Sequence, residues 1–321
     1  MGPGWNLKVG LALGGGAARG LAHLGVLRVL EREKVPIDVI VGTSMGAILG
    51  GAYAVHQDTA RLEREVRAIL SSEEFRRNRL NFLRESREQR GGLLFSMTNL
   101  MRKGYFYGIS TLRTSFLSAE EFAGSMAALL PPVDIQTLPI AFGAVTLDLT
   151  NAKEVVICNG DLRSAARASS AIPGILPPVQ WNGRLLIDGG WVDKVPVLPA
   201  FKLGADVVIA VDISAAIEDA RSYRRGVDIM VRANAIKDGA LVSFLRRLAD
   251  VVIEPDVGMV HWADFTEYER CIQAGDDAAT QLMPTIRALL RHERLFSMLR
   301  PGEGKRRAEI HMHDDLEICL E

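Results

Sequence analysis

Apolar residues along this chain fall into two alternating arrangements, short unbroken runs and stretches in which they recur every three or four positions. Unbroken runs set between helical stretches are the pattern of parallel strands buried on both faces. Lys8 to Leu13 is the first such run, Gly14 to Gly16 break it, and Leu21 to Glu31 then repeats Leu21, Leu24, Leu27, Val29 and Leu30 at helical spacing. Ile37 to Val41 supplies a second strand, so the opening predicts a β-α-β unit. Strand signals return with Ile140 to Leu147 and Glu154 to Cys158, joined across Thr150-Asn151-Ala152-Lys153 as a hairpin. A short helix over Asp161 to Ser170 follows. Leu185 to Asp188, Val207 to Asp212 and Val251 to Glu254 are further strands, and Thr266 to Arg291 is the last long helical pattern. Beyond Pro301 the chain is polar and predicts a loose tail. No repeat or low-complexity tract interrupts this order, which describes one α/β core.

Two stretches depart from the pattern. Val39 to Val55 carries no charge over 17 residues, near the lower limit for a membrane-spanning helix, but Gly42, Gly46, Gly50 and Gly51 fit a buried strand, turn and helix equally well. Residues 58 to 104 hold eleven Arg or Lys against seven Asp or Glu in a helix-rich segment, the mark of a helical insertion or cap, which we place at about 58–130. Within it, Leu93 to Gly108 sets apolar and aromatic residues beside Arg102 and Lys103. That suits either a lipid-facing amphipathic segment or a cap packing its apolar face inward, so peripheral membrane contact is one expectation here.

Composition narrows the function classes. With 38 Lys and Arg against 39 Asp and Glu, the net charge of −1 offers no global field to attract nucleic acid, and none is expected as a partner. Cys158, Cys271 and Cys319 are far apart and odd in number, which suggests neither a disulfide framework nor a cysteine metal site and favours a reducing compartment. The first eight residues lack a basic region followed by an apolar run, so the expected location is cytoplasmic.

Chemistry concentrates in three places. Gly42-Thr43-Ser44-Met45-Gly46 fits G-x-S-x-G after a strand and before a helix of small residues, the setting of a nucleophile elbow; an ordinary tight-turn serine is the competing reading. The turn strains the serine backbone, and Gly42 and Gly46 remove the side chains that would collide beside it. A serine hydroxyl needs a base. None of the six histidines follows a strand end, so Ser-His-Asp is the weaker arrangement and Asp188 the better candidate: it ends the apolar run Leu185-Leu186-Ile187 and precedes Gly189-Gly190. Alone, Asp188 would be read as an acid bonded to its own turn. The third place is Gly14-Gly15-Gly16-Ala17-Ala18-Arg19-Gly20, a strand-to-helix loop that can aim bare N–H groups at an anion. The dinucleotide fingerprint fails because Arg19 stands where its third glycine belongs, and no Gly-Lys-Ser/Thr follows for a Walker loop. An oxyanion hole fits, with Arg19 either orienting the loop or binding a substrate phosphate.

The glycine loop with Arg19-Gly20, the Ser44 elbow and Asp188-Gly189-Gly190, in this order and spacing, resemble the patatin-like phospholipases, and the sequence looks like a bacterial member. Ala168-Ser169-Ser170-Ala171-Ile172-Pro173-Gly174-Ile175-Leu176-Pro177-Pro178-Val179 resembles the family segment before the Asp-Gly-Gly strand, so the likeness runs from about residue 8 to 213. It implies a three-layer α/β sandwich with a mostly parallel sheet and helices on both faces. Residues 1–213 would form the core, 214–300 an extension completing it, and 301–321 the tail. It also implies a lipid acyl hydrolase with a Ser-Asp dyad and no cofactor or metal. Ser44 would be the nucleophile, Asp188 the base, and the Gly15, Gly16 and Ala17 backbone the oxyanion hole, supported by Arg19, Gly42, Gly46 and Gly189. One departure stands out: counted back from Arg19, the family's third loop glycine falls at Ala17. The expected substrate is a phospholipid or other acyl lipid. Acyl transfer, or lipid binding without catalysis, is the alternative.

Overall fold

The computed structural model describes residues 7–73, 75, 124, 127–214, 226–299 and 316–319. Its sheet has nine strands: β1 (Val9–Leu13), β2 (Val39–Thr43), β3 (Ala141–Asp148), β4 (Lys153–Ile157), β5 (Val179–Trp181), β6 (Arg184–Asp188), β7 (Val207–Val211), β8 (Val251–Ile253) and β9 (Leu316–Ile318). The main path runs β5-β6-β3-β2-β1-β7-β8, with β4 on β3 and β9 on β4. From β3 to β8 every neighbour is parallel. The central strands β1, β2 and β7 are buried at every position, which is why their sequences show no polar alternation.

Helices cover both faces, giving the expected three layers. On one side α1 (Ala22–Arg32), α2 (Met45–His56), α3 (Thr59–Ser71), α4 (Leu162–Ser169) and α7 (Tyr268–Leu299) enclose the larger apolar core. On the other, α5 (Val197–Lys202) and the C-terminal half of α6 (Gly226–Leu245) close a smaller one around Val39, Val41, Ala200 and Val208. The helices α1 and α7 meet backbone to backbone: a Cβ added to Gly25 would lie 2.0 Å from the Ile272 carbonyl oxygen, and one on Gly275 would lie 1.9 Å from that of Ala22.

The register of β3 positions the site. Val39 to Thr43 of β2 pair in parallel with Ala141 to Val145, and there β2 ends. Antiparallel β6 then takes Thr146 to Asp148, with Asp188 opposite Thr146. Two strands running in opposite directions therefore bring their C-terminal ends together at Val145 and Thr146. Thr43 and Asp188, 145 positions apart in sequence, become neighbours at that point.

One alternative closes and two expectations change. Val39 to Val55 is β2, a turn and α2, and among the described residues no helix is long and apolar enough to cross a membrane. The tail is not wholly loose, because Leu316–Ile318 adds β9 in parallel to β4. Cys158 and Cys319 are not isolated: they form a disulfide with Cα atoms 4.8 Å apart, leaving Cys271 free and buried, and the inference of unpaired cysteines fails because a strand from the tail returns beside β4. The amphipathic stretch Leu93 to Gly108 lies outside the described residues.

Candidate active site

Ser44 follows β2 and caps α2 with φ 56° and ψ −119°, a conformation side chains rarely adopt. It survives because its flanks are bare: a Cβ on Gly46 would lie 2.1 Å from the Leu13 carbonyl oxygen, and one on Gly42 would lie 2.4 Å from that of Gly46. The Ser44 N–H donates to Ser169 Oγ at 3.0 Å, and that hydroxyl donates to the Val145 carbonyl at 2.7 Å. Thr43 Oγ1 donates to the Asp193 carbonyl at 2.9 Å, tying the end of β2 to the turn beyond β6. Neither Ser169 nor Thr43 was singled out by motif, although Ser169 lies in the segment Ala168 to Val179.

That segment also seats the acid. The Asp188 N–H donates to the Ala171 carbonyl at 3.0 Å, and Asp188 Oδ1 accepts from the Gly190 N–H at 2.7 Å. Gly189 permits the turn to lie against β3, since a Cβ there would be 2.4 Å from the Val145 oxygen. Asp188 and Ser44 are both buried, and the Ser44 side chain lies close enough to the carboxylate to favour its ionised form. Burial raises the Asp188 pKa to about 6, with Ser44, the Gly190 N–H and nearby Lys194 pulling the other way.

The glycine loop divides its amides. Gly14 N–H donates to the Val211 carbonyl at 3.0 Å and Gly15 N–H to that of Lys194 at 2.9 Å. Gly15 thus leaves the expected set of oxyanion donors, because its amide is spent fastening the loop to the turn after β6. Gly16 and Ala17 donate to no described residue, and Ala17, at φ 48°, faces the cleft beside Ser44. At the start of α2 the Ala47 and Ile48 N–H groups donate to the Ser44 carbonyl, while the Met45 N–H donates to no described residue. His23 Nε2 donates to the Gly14 carbonyl at 2.7 Å, and complete burial depresses its pKa to about 4, so the ring is a neutral brace for the loop.

Each other described histidine has a partner elsewhere: His56 the Arg61 side chain, His261 the Ala263 N–H, His292 Glu293. Arg19 is partly buried beside Lys194, its Nε without a hydrogen-bond partner among the described residues, and burial lowers its pKa. Ser44 and Ala17 open onto an apolar cleft walled by Ile48, Ile172, Ile175, Leu176, Trp262 and Phe265. Trp262 and Phe265 come from the last third of the chain, where no motif had pointed.

The sequence model described as patatin-like phospholipase matches residues 11–201, more than half of the chain and the whole stretch from glycine loop to Asp188. The chain belongs to the patatin-like phospholipase family. This patatin-like chain is 31% identical over 205 residues to the lysophospholipase NTE1 of Kluyveromyces lactis, covering 64% of this chain and 12% of that protein. It is 35% identical over 207 residues to an uncharacterised NTE family protein of Mycobacterium tuberculosis, covering 64% of this chain and 49% of the relative. It therefore spans half or less of these relatives. A crystal structure of VipD from Legionella pneumophila aligns with 87% of this chain and 67% of its own at 16% identity and a TM-score of 0.47.

Proposed function

We propose that this patatin-like protein is a serine acyl hydrolase that cleaves carboxylic ester bonds of phospholipids or related acyl lipids. The observation that carries the reading is the closeness of the Ser44 side chain to the buried Asp188 carboxylate where β2 and β6 end, beside Gly16 and Ala17 amides that donate to no described residue. The lysophospholipase name of the yeast relative agrees with a lipid substrate.

Ser44 Oγ attacks the ester carbonyl carbon while its proton passes to Asp188. The carbonyl oxygen becomes an oxyanion held by the Gly16, Ala17 and Met45 N–H groups. Each well-placed donor contributes about 10² to 10³ in rate. Collapse breaks the ester C–O bond, and the leaving alkoxide takes the proton from Asp188. Water then attacks the acyl-enzyme, giving one proton to Asp188, and the second collapse frees the fatty acid while Ser44 recovers that proton. The apolar cleft receives the acyl chain, whose burial from water contributes about 0.8 kcal/mol per CH₂.

Turnover of a p-nitrophenyl ester and labelling by a fluorophosphonate test this directly. Ser44→Ala is expected to abolish both, and Asp188→Asn to slow both. Full hydrolysis by Ser44→Ala, or unchanged labelling of Asp188→Asn, would reject the assignment.

A further inference from the structure

Two side chains of the cleft come from outside the family core. The family match ends at residue 201, whereas Trp262 and Phe265 stand on the segment that leads into α7 and line the same cleft as Ser44 and Ala17. The other large apolar lining residues, Met45 and Ile48 of α2 and Ile172, Ile175 and Leu176 before β5, belong to the matched core. Trp262 and Phe265 are therefore the part of the wall that this chain adds to the shared site.

The added wall is held at several points. The Ala18 N–H donates to the Trp262 carbonyl at 2.8 Å. The Asp264 N–H closes a turn on the His261 carbonyl at 2.9 Å, and Asp264 Oδ1 accepts from the Thr266 hydroxyl at 2.6 Å. The Phe265 ring meets that of Phe75 edge to face, with centroids 5.3 Å apart. Behind the segment, α7 lies backbone to backbone against α1 at Gly275. A wall tied in this way does not retreat to admit any shape, so it selects by fit.

The bond to Ala18 decides what is selected. Ala18 follows Ala17, one of the two loop residues whose amides donate to no described residue, so Trp262 is fastened directly beside the oxyanion loop. An acyl carbon bonded to Ser44, with its oxygen on the Gly16 and Ala17 amides, places its next atoms between that loop and Ile48, one turn of α2 beyond Ser44. The surfaces there are apolar. A phosphate-bearing alcohol would be stripped of water against them without a partner, whereas an alkyl chain gains about fourfold for each CH₂ it removes from water.

We propose that Trp262 is the acyl-selecting residue of this site, its indole flanking the first methylenes of the fatty acyl group, which makes medium- and long-chain fatty acyl esters the preferred substrates. The inference rests on the acyl-hydrolase reading and adds which half of the ester enters the cleft.

The test compares kcat/KM for p-nitrophenyl acetate and octanoate, which differ on the acyl side, and for ethyl and octyl acetate, which differ on the alcohol side. In the native chain the octanoate is expected to exceed the acetate by about tenfold or more, the effect of two or more buried CH₂ groups. Trp262→Ala should reduce that octanoate-to-acetate ratio by about tenfold, and Trp262→Phe should keep most of it. A ratio unmoved by Trp262→Ala, or an equal loss at both chain lengths, overturns the proposal. So does a preference for octyl over ethyl acetate that vanishes in Trp262→Ala, which would put the alcohol in the cleft. A second measurement leaves the wall intact: Ser44 is labelled with fluorophosphonates carrying an octyl or a methyl group on phosphorus. The octyl adduct should shift tryptophan emission to the blue relative to the methyl adduct, and the shift should disappear in Trp262→Phe. No shift, or a shift that survives Trp262→Phe, overturns the assignment. Persistent ester turnover by Ser44→Ala would remove the esterase reading itself, whereas Ser44-dependent turnover indifferent to acyl length would remove only the role of Trp262.

Discussion

A base must be ionised to accept a proton, and burial holds the Asp188 carboxyl at about 6 rather than near 4. Turnover of a soluble ester is therefore expected to fall as pH drops through about 6, and a pH profile with an inflection near 4 would detach Asp188 from the proton transfer. Asp188→Asn should lower kcat by about 10² to 10⁴. Ser169 is a positioning residue in the same site, because its hydroxyl accepts from the Ser44 N–H and donates to the Val145 carbonyl. Ser169→Ala strands both buried groups, at a cost of about 1–3 kcal/mol. It should also slow fluorophosphonate labelling of Ser44, which a general loss of stability would not do well below the melting transition. The elbow was legible in sequence since its chemistry is local: a strand end, two glycines and a serine suffice. The division of amides in the glycine loop was not, since whether Gly15 is free depends on Lys194, 179 positions away.

Elements bring these residues to one place, and the contact between α1 and α7 is the most sensitive of their junctions. A Cβ on Gly275 would fall 1.9 Å from the Ala22 carbonyl oxygen, so Gly275→Ala must push the helices apart. We expect a loss of about 1–3 kcal/mol or more, read as a lower thermal midpoint. Because Ala22 adjoins His23, whose ring holds Gly14, the same substitution should also reduce kcat at temperatures where the protein stays folded. The parallel strands and α1 were readable from periodicity, as were the β3-β4 hairpin and the last long helix. The helix α6 was not, because a helix apolar on its outer face lacks the polar alternation that marks a 3.6-residue period. β9 escaped for a different reason: a three-residue edge strand in a polar tail is made by its pairing with β4.

Across the whole molecule, the site is held at some cost to stability. Asp188 binds its proton more tightly folded than unfolded, so its contribution is fully present below about pH 4 and is lost as pH rises through about 6. A shift of about two pH units corresponds to about 3 kcal/mol. Glu154, raised by burial to about 7, and Asp193, raised by burial and by Glu154, act in the same direction. Asp188→Asn should thus be more stable than the native chain at pH 8 by denaturant titration, with the gain vanishing near pH 4. The Cys158–Cys319 bond closes 161 positions, and its reduction should lower the thermal midpoint by at most the equivalent of about 5 kcal/mol; no change on reduction would mean β9 holds without it. Sequence alone determined the alternation of strands and helices, the strained serine turn and the family, since each is written in local spacing or in motif order. Only the tertiary structure decided that β6 enters antiparallel to fill the edge of β3 where β2 stops, which loop amides remain unspent, and that the tail returns to β4. Those outcomes depend on hydrogen bonds between residues far apart in the chain, and a backbone amide's partner leaves no trace in the identity of the residue that carries it.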